Sequence, residues 1–291
     1  MFAYLALAGL TNGALYALVG IGIVLIYKAT GAINFAQGDM LMVAGFVAYT
    51  LHVTLHLPYL VALLGAVAAC FVLGLLAERI AFRPLANADI ISLVLATVGL
   101  SFMLKGFGRV VWGGLGDYLS FPPLVPNDPI MFGDIILLPQ QLVVTGGAVL
   151  VIVVFALFFK FTSLGRMMQA TADNRRAARL VGIRVDRVHA LAFAVGAALA
   201  GAAAALMAPI TLLYPDIGFP LFIKGFAAAV FGGLDSLPGT LLGAVAIGLI
   251  ESLAGGYVGS GFVDVSAFLV IMAVLLIRPR GLLGSAALRR A

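Results

Sequence analysis

Long apolar runs alternate along this chain with short polar, glycine-rich or proline-rich stretches. Nine runs stand out, at roughly 3–27, 38–56, 59–78, 90–111, 141–160, 188–213, 220–234, 239–257 and 262–277. A helix crossing the hydrocarbon core of a bilayer needs about 20 mainly apolar residues, and most of the runs supply that length. The pattern predicts an all-α, polytopic integral membrane protein with eight or nine transmembrane helices. The run at 220–234 is short and holds Lys224, which leaves room for a broken or re-entrant helix packed inside protein. The first run, Phe2 to Tyr27, lacks a basic leader and far exceeds the roughly 7–15 apolar residues of a secretory signal, so it reads as the first span.

Composition sharpens this picture. Hydrophobic residues make up 63% of the 291 and charged residues 10%, whereas a soluble domain carries about 25% charged. The net charge of +5 could suggest nucleic acid, but the basic residues gather in a few short loops. With the C-terminus inside, Lys28, Arg79, Arg83, Lys160, Arg166, Arg175, Arg176, Arg179, Arg184, Arg187, Arg278, Arg280, Arg289 and Arg290 all fall on the inner side. These are 14 of the 17 basic residues, the bias that orients membrane proteins. Nine spans then put the N-terminus outside; eight or ten put it inside. The longest outer loop, 112–140, holds Pro122, Pro123, Pro126 and Pro129 with Asp117, Asp128 and Asp134, and reads as a connector or as a docking surface for an external partner.

Most catalytic chemistry is absent from the sequence. A phosphate-binding loop needs Gly-Lys followed by Ser or Thr, and Lys28, Lys105, Lys160 and Lys224 all follow a residue other than glycine. Any use of ATP must come from another polypeptide. Cys70 is the only cysteine, so an internal disulfide is impossible. His52 and His56 have zinc-ligand spacing, but Val53 stands where a zincin needs Glu. Ser260 in Val-Gly-Ser-Gly only loosely resembles a nucleophile turn, and His189 belongs near the other surface.

Three polar features carry the candidate function. Lys224 and Glu251 lie within neighbouring antiparallel runs at similar depth, which predicts an intramembrane ion pair. Asn34, Gln37 and Asp39 enter the second run from its inner side, with Asp39 at the positive end of the coming helix, where it either caps the helix or lines a path or gate. The inner loop 160–187 holds seven basic residues, yet alanine and methionine dominate 167–178. One short surface helix with Ala172 and Ala178 facing a cytoplasmic partner is expected, stopped at Gly182. Small residues four apart, Gly196 and Ala200, Ala197 and Gly201, Gly239 and Gly243, suit close helix packing.

Several of these stretches together resemble a known family. Asn34-Phe35-Ala36-Gln37-Gly38-Asp39, Glu78-Arg79 with Arg83-Pro84-Leu85, Gly182-Ile183 with Asp186-Arg187-Val188, Lys224-Gly225-Phe226 through Gly232-Gly233-Leu234-Asp235-Ser236-Leu237-Pro238-Gly239, and Pro279 with Gly281-Leu282-Leu283-Gly284 occur in the family's order along the whole chain. They are similar to permease subunits of high-affinity branched-chain amino acid ABC importers of the Liv type. The resemblance implies a single permease domain over 1–291 in the inner membrane of a bacterial cell, with the C-terminus cytoplasmic. It implies a second homologous permease subunit, two cytoplasmic ABC ATPases that bind the ATP and Mg, and a periplasmic or lipid-anchored solute-binding protein. The chain itself would carry no cofactor and no enzyme activity, and would contact substrate and membrane lipid but no nucleic acid. Arg166, Gln169, Ala172, Asp173, Arg175, Ala178 and Gly182 fall where the family places its ATPase-coupling segment. Related systems carry urea, short amides or aromatic acids; an ion-coupled secondary transporter is the rival from another class.

Overall fold

A computed structural model describes residues 1–85, 88–113, 118–126, 128–132 and 135–284. Of the residues weighed above, Asp117, Asp134, Arg289 and Arg290 lie outside the described residues. The helices in chain order are α1 Phe2–Thr30, α2 Gln37–Tyr49, α3 Tyr59–Ala77, α4 Ile90–Trp112, α5 Pro139–Phe161, α6 Ser163–Asp173, α7 Arg175–Leu180, α8 Val185–Met207, α9 Gly218–Gly232, α10 Leu237–Tyr257 and α11 Phe262–Ile277. Single π-helical turns extend α2 through Thr50–Thr54 and α3 through Glu78–Phe82. Among the described residues, strand is confined to short antiparallel pairs: β1 Leu119–Ser120 with β4 Leu212–Leu213, and β2 Ile130–Phe132 with β3 Ile135–Leu137.

The bundle is organised around α1. This helix is apolar on every face, and 89% of its membrane-length window is buried, against 17% in α4 and in α5. A helix apolar all round belongs in the interior. α8, α9 and α10 pack on α1, and α3 packs on α8. Small residues permit these approaches. A Cβ on Gly196 would sit 2.9 Å from the Gly22 carbonyl oxygen, and one on Gly201 would sit 2.9 Å from Cys70 Cβ. Lys28, Arg83, Arg175, Asp173, Asp186 and Arg280 gather at one end of the bundle, here called the basic end.

Among the described residues, six helices are long and apolar enough to cross a membrane: α1, α3 with its π-turn, α4, α5, α8 and α10. The other apolar helices are shorter: α2 with 13 residues, α9 with 15 and α11 with 16. At about 1.5 Å per residue α9 reaches roughly 22 Å, less than the hydrocarbon thickness of about 30 Å. α9 is short but unbroken.

The second run differs more from the sequence expectation. α2 does not begin at the basic end. Gly31, with φ 78°, closes α1, and the chain then turns back alongside it. Gln37, the first residue of α2, donates from Nε2 to Gly196 O at 2.8 Å, beside Gly22 of α1. Eight helical residues separate Gly22 from Thr30, so α2 starts about 12 Å in from the end of α1. Met40 accepts a hydrogen bond from Cys70, midway along α3. α9 begins at the same place, because Gly218 packs directly on Gly38. From this mid-depth junction α2 climbs to the far end, where Trp112 Nε1 donates to Thr50 Oγ1 at 2.8 Å. α9 descends to the basic end, where Gly232 abuts Gly239 and the Gly232 carbonyl accepts from Leu283 N at 2.9 Å.

Candidate functional site

Thr97, Ser101, Lys105 and Arg109 recur every four residues and so share one face of α4. This face meets the α2–α9 junction. Ser101 Oγ donates to Asp39 Oδ2. Lys105 Nζ lies 3.9 Å from Asp39 Oδ1 and 3.6 Å from Asp216 Oδ1, and Arg109 Nη2 donates to Asp216 Oδ2 at 2.9 Å. Side-chain exposure rises along the row, from 4% at Asp39 and 19% at Lys105 to 53% at Asp216 and 59% at Arg109. The result is a track of alternating charge leading from the far end to the centre of the bundle.

The inner end of the track is short of partners. Asn34 Nδ2, Gln37 Oε1 and Asp39 Oδ1 are buried without hydrogen bonds. Asn34 Oδ1 is used locally, accepting from Ala36 N at 3.1 Å. Asp39 does not cap α2: the N-cap is Ala36, with no side-chain cap, and the Asp39 carboxylate is turned toward α4. It also stands at mid-depth rather than at the inner surface. Two helix N-termini, whose positive dipole ends favour anions, converge here, and Lys105 Nζ sits 5.8 Å from the Phe219 ring at the start of α9. Anion-favouring amides and lysine beside an acceptor carboxylate suit a solute bearing both charges. Lys105 and Arg109 are two of the three basic residues that fall outside the inner set. Their four-residue spacing with Ser101 was the available signal; Asp216 carried none.

Lys224 and Glu251 also meet. Lys224 Nζ donates to Glu251 Oε1 at 2.7 Å, with side-chain exposures of 12% and 5%. Asp264 Oδ1 lies 3.3 Å from the same ammonium, and the Tyr16 ring lies 5.8 Å from it. One cation therefore ties α9 to α10, α11 and α1.

The basic loop is two helices, not one. Asn174, at φ −156° and ψ 100°, breaks the segment, and its Oδ1 accepts from Arg176 N and Ala177 N to start α7. Thr162 caps α6 through Gly165 N at 3.1 Å. The inward face of α6 carries Gly165, Met168 and Thr171, while Ala172 is half-buried. Arg166, Gln169, Asp173 and Arg175 are exposed. Although Arg175 is largely exposed, partial desolvation of its guanidinium, then the nearby Arg179 charge, lowers its pKa. Ala178 is 2% exposed, covered by the chain itself, so it cannot face a partner. Leu180 and Val181 are exposed instead, at 85% and 76%. Gly182 is responsible. At φ 85° it donates to Arg179 O at 3.1 Å, and Ile183 N donates to Ala178 O at 3.0 Å, the reciprocal pair of a Schellman stop. The stop turns Ile183 back over α7 and leaves Leu180 and Val181 outside.

Two other residues weighed above have structural surroundings. His52 Nδ1 is 2.8 Å from Leu57 O and its ring stacks on Phe121. Cys70 is fully buried.

Known proteins share this chain's sequence over nearly its whole length. Residues 5–278 match the family model described as branched-chain amino acid transport system, permease component. The LivH permease protein of the high-affinity branched-chain amino acid transport system of Escherichia coli K12 is 31% identical, covering 95% of this chain and 93% of that one. The corresponding BraD protein of Pseudomonas aeruginosa is 33% identical over 95% and 94%. A probable LivH from Methanocaldococcus jannaschii is 31% identical over 93% and 89%. This chain belongs to the family of permease components of branched-chain amino acid transport systems.

Proposed function

We propose that this permease carries branched-chain and other hydrophobic amino acids inward, as one membrane-spanning domain over 1–291 paired with a second homologous permease subunit. The charged track ending at the α2–α9 junction is the observation that carries this reading. A zwitterion crossing an apolar bundle needs both signs of charge along its route, and intramembrane charge is costly enough to mark such routes. Asn34, Gln37 and Asp39 form the gate at the inner end of the track. The names of the relatives support the substrate class. Radiolabelled leucine uptake by cells carrying the whole system tests it. Lys105→Met should reduce uptake at least about 10-fold, the loss of one charge-assisted contact worth about 1.5–3 kcal/mol. Leucine, isoleucine and valine should compete with the label; competition by urea, acetamide or benzoate instead would reassign the substrate.

The basic end faces the cytoplasm, following the positive-inside bias, and 160–187 is the coupling loop. Two partner ATPases dock there and bind the ATP and Mg; a solute-binding protein delivers substrate at the far end. Paired half-helices at mid-depth are also used by ion-coupled carriers. Uptake that survives inactivation of the ATPase partners would favour that alternative.

Exposure of Leu180 and Val181 among arginines supports α7 as the docking point. Burying such a side chain is worth about 1.5–3 kcal/mol, so Leu180→Ser with Val181→Ser should lower ATPase co-purification more than about 10-fold. Membrane insertion should be unchanged, and Arg176→Gln should matter little. Undiminished co-purification by the double variant would move docking elsewhere.

Orientation has its own test. Native Cys70 is buried, so single cysteines at exposed Asn174 and Tyr118 can be compared cleanly. An impermeant maleimide added to intact cells should label Tyr118→Cys and reach Asn174→Cys only after permeabilisation. The opposite pattern would invert the topology.

A further inference from the structure

At the basic end, between α1, α5, α6 and the first turn of α10, lies an open cleft of about 520 Å³ that the track does not use. Its volume is in the range of small-molecule sites, about 300–1,000 Å³. Phe155 and Phe159 of α5 and Leu241 of α10 form an apolar wall. Lys28 enters from α1, and Gln169 and Asp173 enter from α6. Neither Lys28 nor Asp173 forms an ion pair with any described residue. A second carboxylate, Asp235 just before α10, also lines the cleft but already has a partner of its own, so the cleft offers Lys28 and Asp173 as a cation and an anion that do not neutralise each other, beside an aromatic surface.

We propose that this cleft binds a zwitterion with an apolar body, and that its occupant is a free aliphatic amino acid on the cytoplasmic side. Lys28 receives the carboxylate, Asp173 the ammonium, and Phe155 with Phe159 the side chain. Gln169 can donate to the carboxylate through its amide. Because Gln169 and Asp173 belong to α6, which leads directly into α7, an occupant ties the coupling loop to α1 and α10. The inference rests on the reading of the chain as an amino acid permease. The ammonium–anion pair also occurs on phosphatidylethanolamine, so the test must separate the two sources.

The full-length chain with its partner subunits is reconstituted in phosphatidylglycerol nanodiscs without solute-binding protein, and radiolabelled L-leucine binding is measured by equilibrium dialysis. Saturable binding is expected, weakened at least about 10-fold by Lys28→Met and by Asp173→Asn, as for loss of a hydrogen bond to a charged group. Isocaproate, lacking the ammonium, and isoamylamine, lacking the carboxylate, should each compete at least about 10-fold less well than leucine. Asp173 is exposed, so its variant keeps the test open should Lys28→Met fail to fold. Leucine binding unchanged in both variants would overturn the proposal, as would no binding at all. So would phosphatidylethanolamine that co-purifies with the wild type and is lost in Lys28→Met while leucine does not bind. Leucine uptake by intact cells, measured in parallel, separates the two readings: normal uptake without binding here condemns the cleft alone, and absent uptake condemns the permease assignment beneath it.

Discussion

Lys224→Met and Glu251→Leu are each expected to lower the yield of folded permease several-fold, and the combined Lys224→Met, Glu251→Leu variant to recover much of it. The ammonium and carboxylate are 2.7 Å apart and nearly sealed from solvent. Removing one partner leaves the other buried and uncompensated, a loss of about 3–5 kcal/mol, whereas replacing both with apolar groups is often neutral. Total stabilities of about 5–15 kcal/mol make the single losses visible. Asp264 provides an internal control. It lies 3.3 Å from Lys224 but its side chain is 79% exposed, so Asp264→Asn should cost little, as surface pairs do. Thermal unfolding in detergent, run as a double-mutant cycle, reads the coupling. Additive losses would mean that the pair contributes nothing as a pair.

The Lys224–Glu251 contact was legible because two antiparallel runs of known ends fix relative depth to within a turn. The glycine pairs were legible because close helix approach has few other solutions, and Gly196, Gly201 and Gly239 all lie at helix contacts. The depth of α2 was not legible. A hydropathy run records that a segment is apolar, not where the chain re-enters the bundle, and the turn back after Gly31 is decided by tertiary contacts such as Gln37 to Gly196. The charged track was half legible. Thr97, Ser101, Lys105 and Arg109 form a visible four-residue row, but Asp39 and Asp216 reach it only through folding. In the 160–187 loop, the composition drew notice to Ala172 and Ala178. Helix rotation then decided which apolar residues remain outside. The Thr162 cap and the packing of Gly165 on Phe159 fix α6, and the stop at Gly182 exposes Leu180 and Val181 instead.

Gly38→Ala is expected to leave the permease folded but to damage transport severely. A Cβ at Gly38 would stand 2.7 Å from the Gly218 carbonyl carbon and 2.9 Å from Phe222 Cβ. The first contact is to backbone, which cannot rotate away, so α9 must shift off α2. Overpacking of this kind costs about 1–3 kcal/mol, less than the stability of a typical domain, about 5–15 kcal/mol. The fold survives; the closed junction does not. With the two N-termini held apart, the route between the charged track and the basic end stays ajar. Proteoliposomes loaded with leucine should therefore leak it faster with Gly38→Ala than with wild type, and ATP-driven uptake in cells should fall about 10-fold or more, equivalent to about 1.4 kcal/mol. Gly146→Ala is the matched control. It places the same methyl on a helix where nothing lies within 4 Å, and should gain slightly in stability from helix propensity, about 1 kcal/mol at most, without leaking. If Gly38→Ala retains leucine and transports as well as Gly146→Ala does, the Gly38–Gly218 contact is packing alone and the barrier to the solute lies elsewhere along the path.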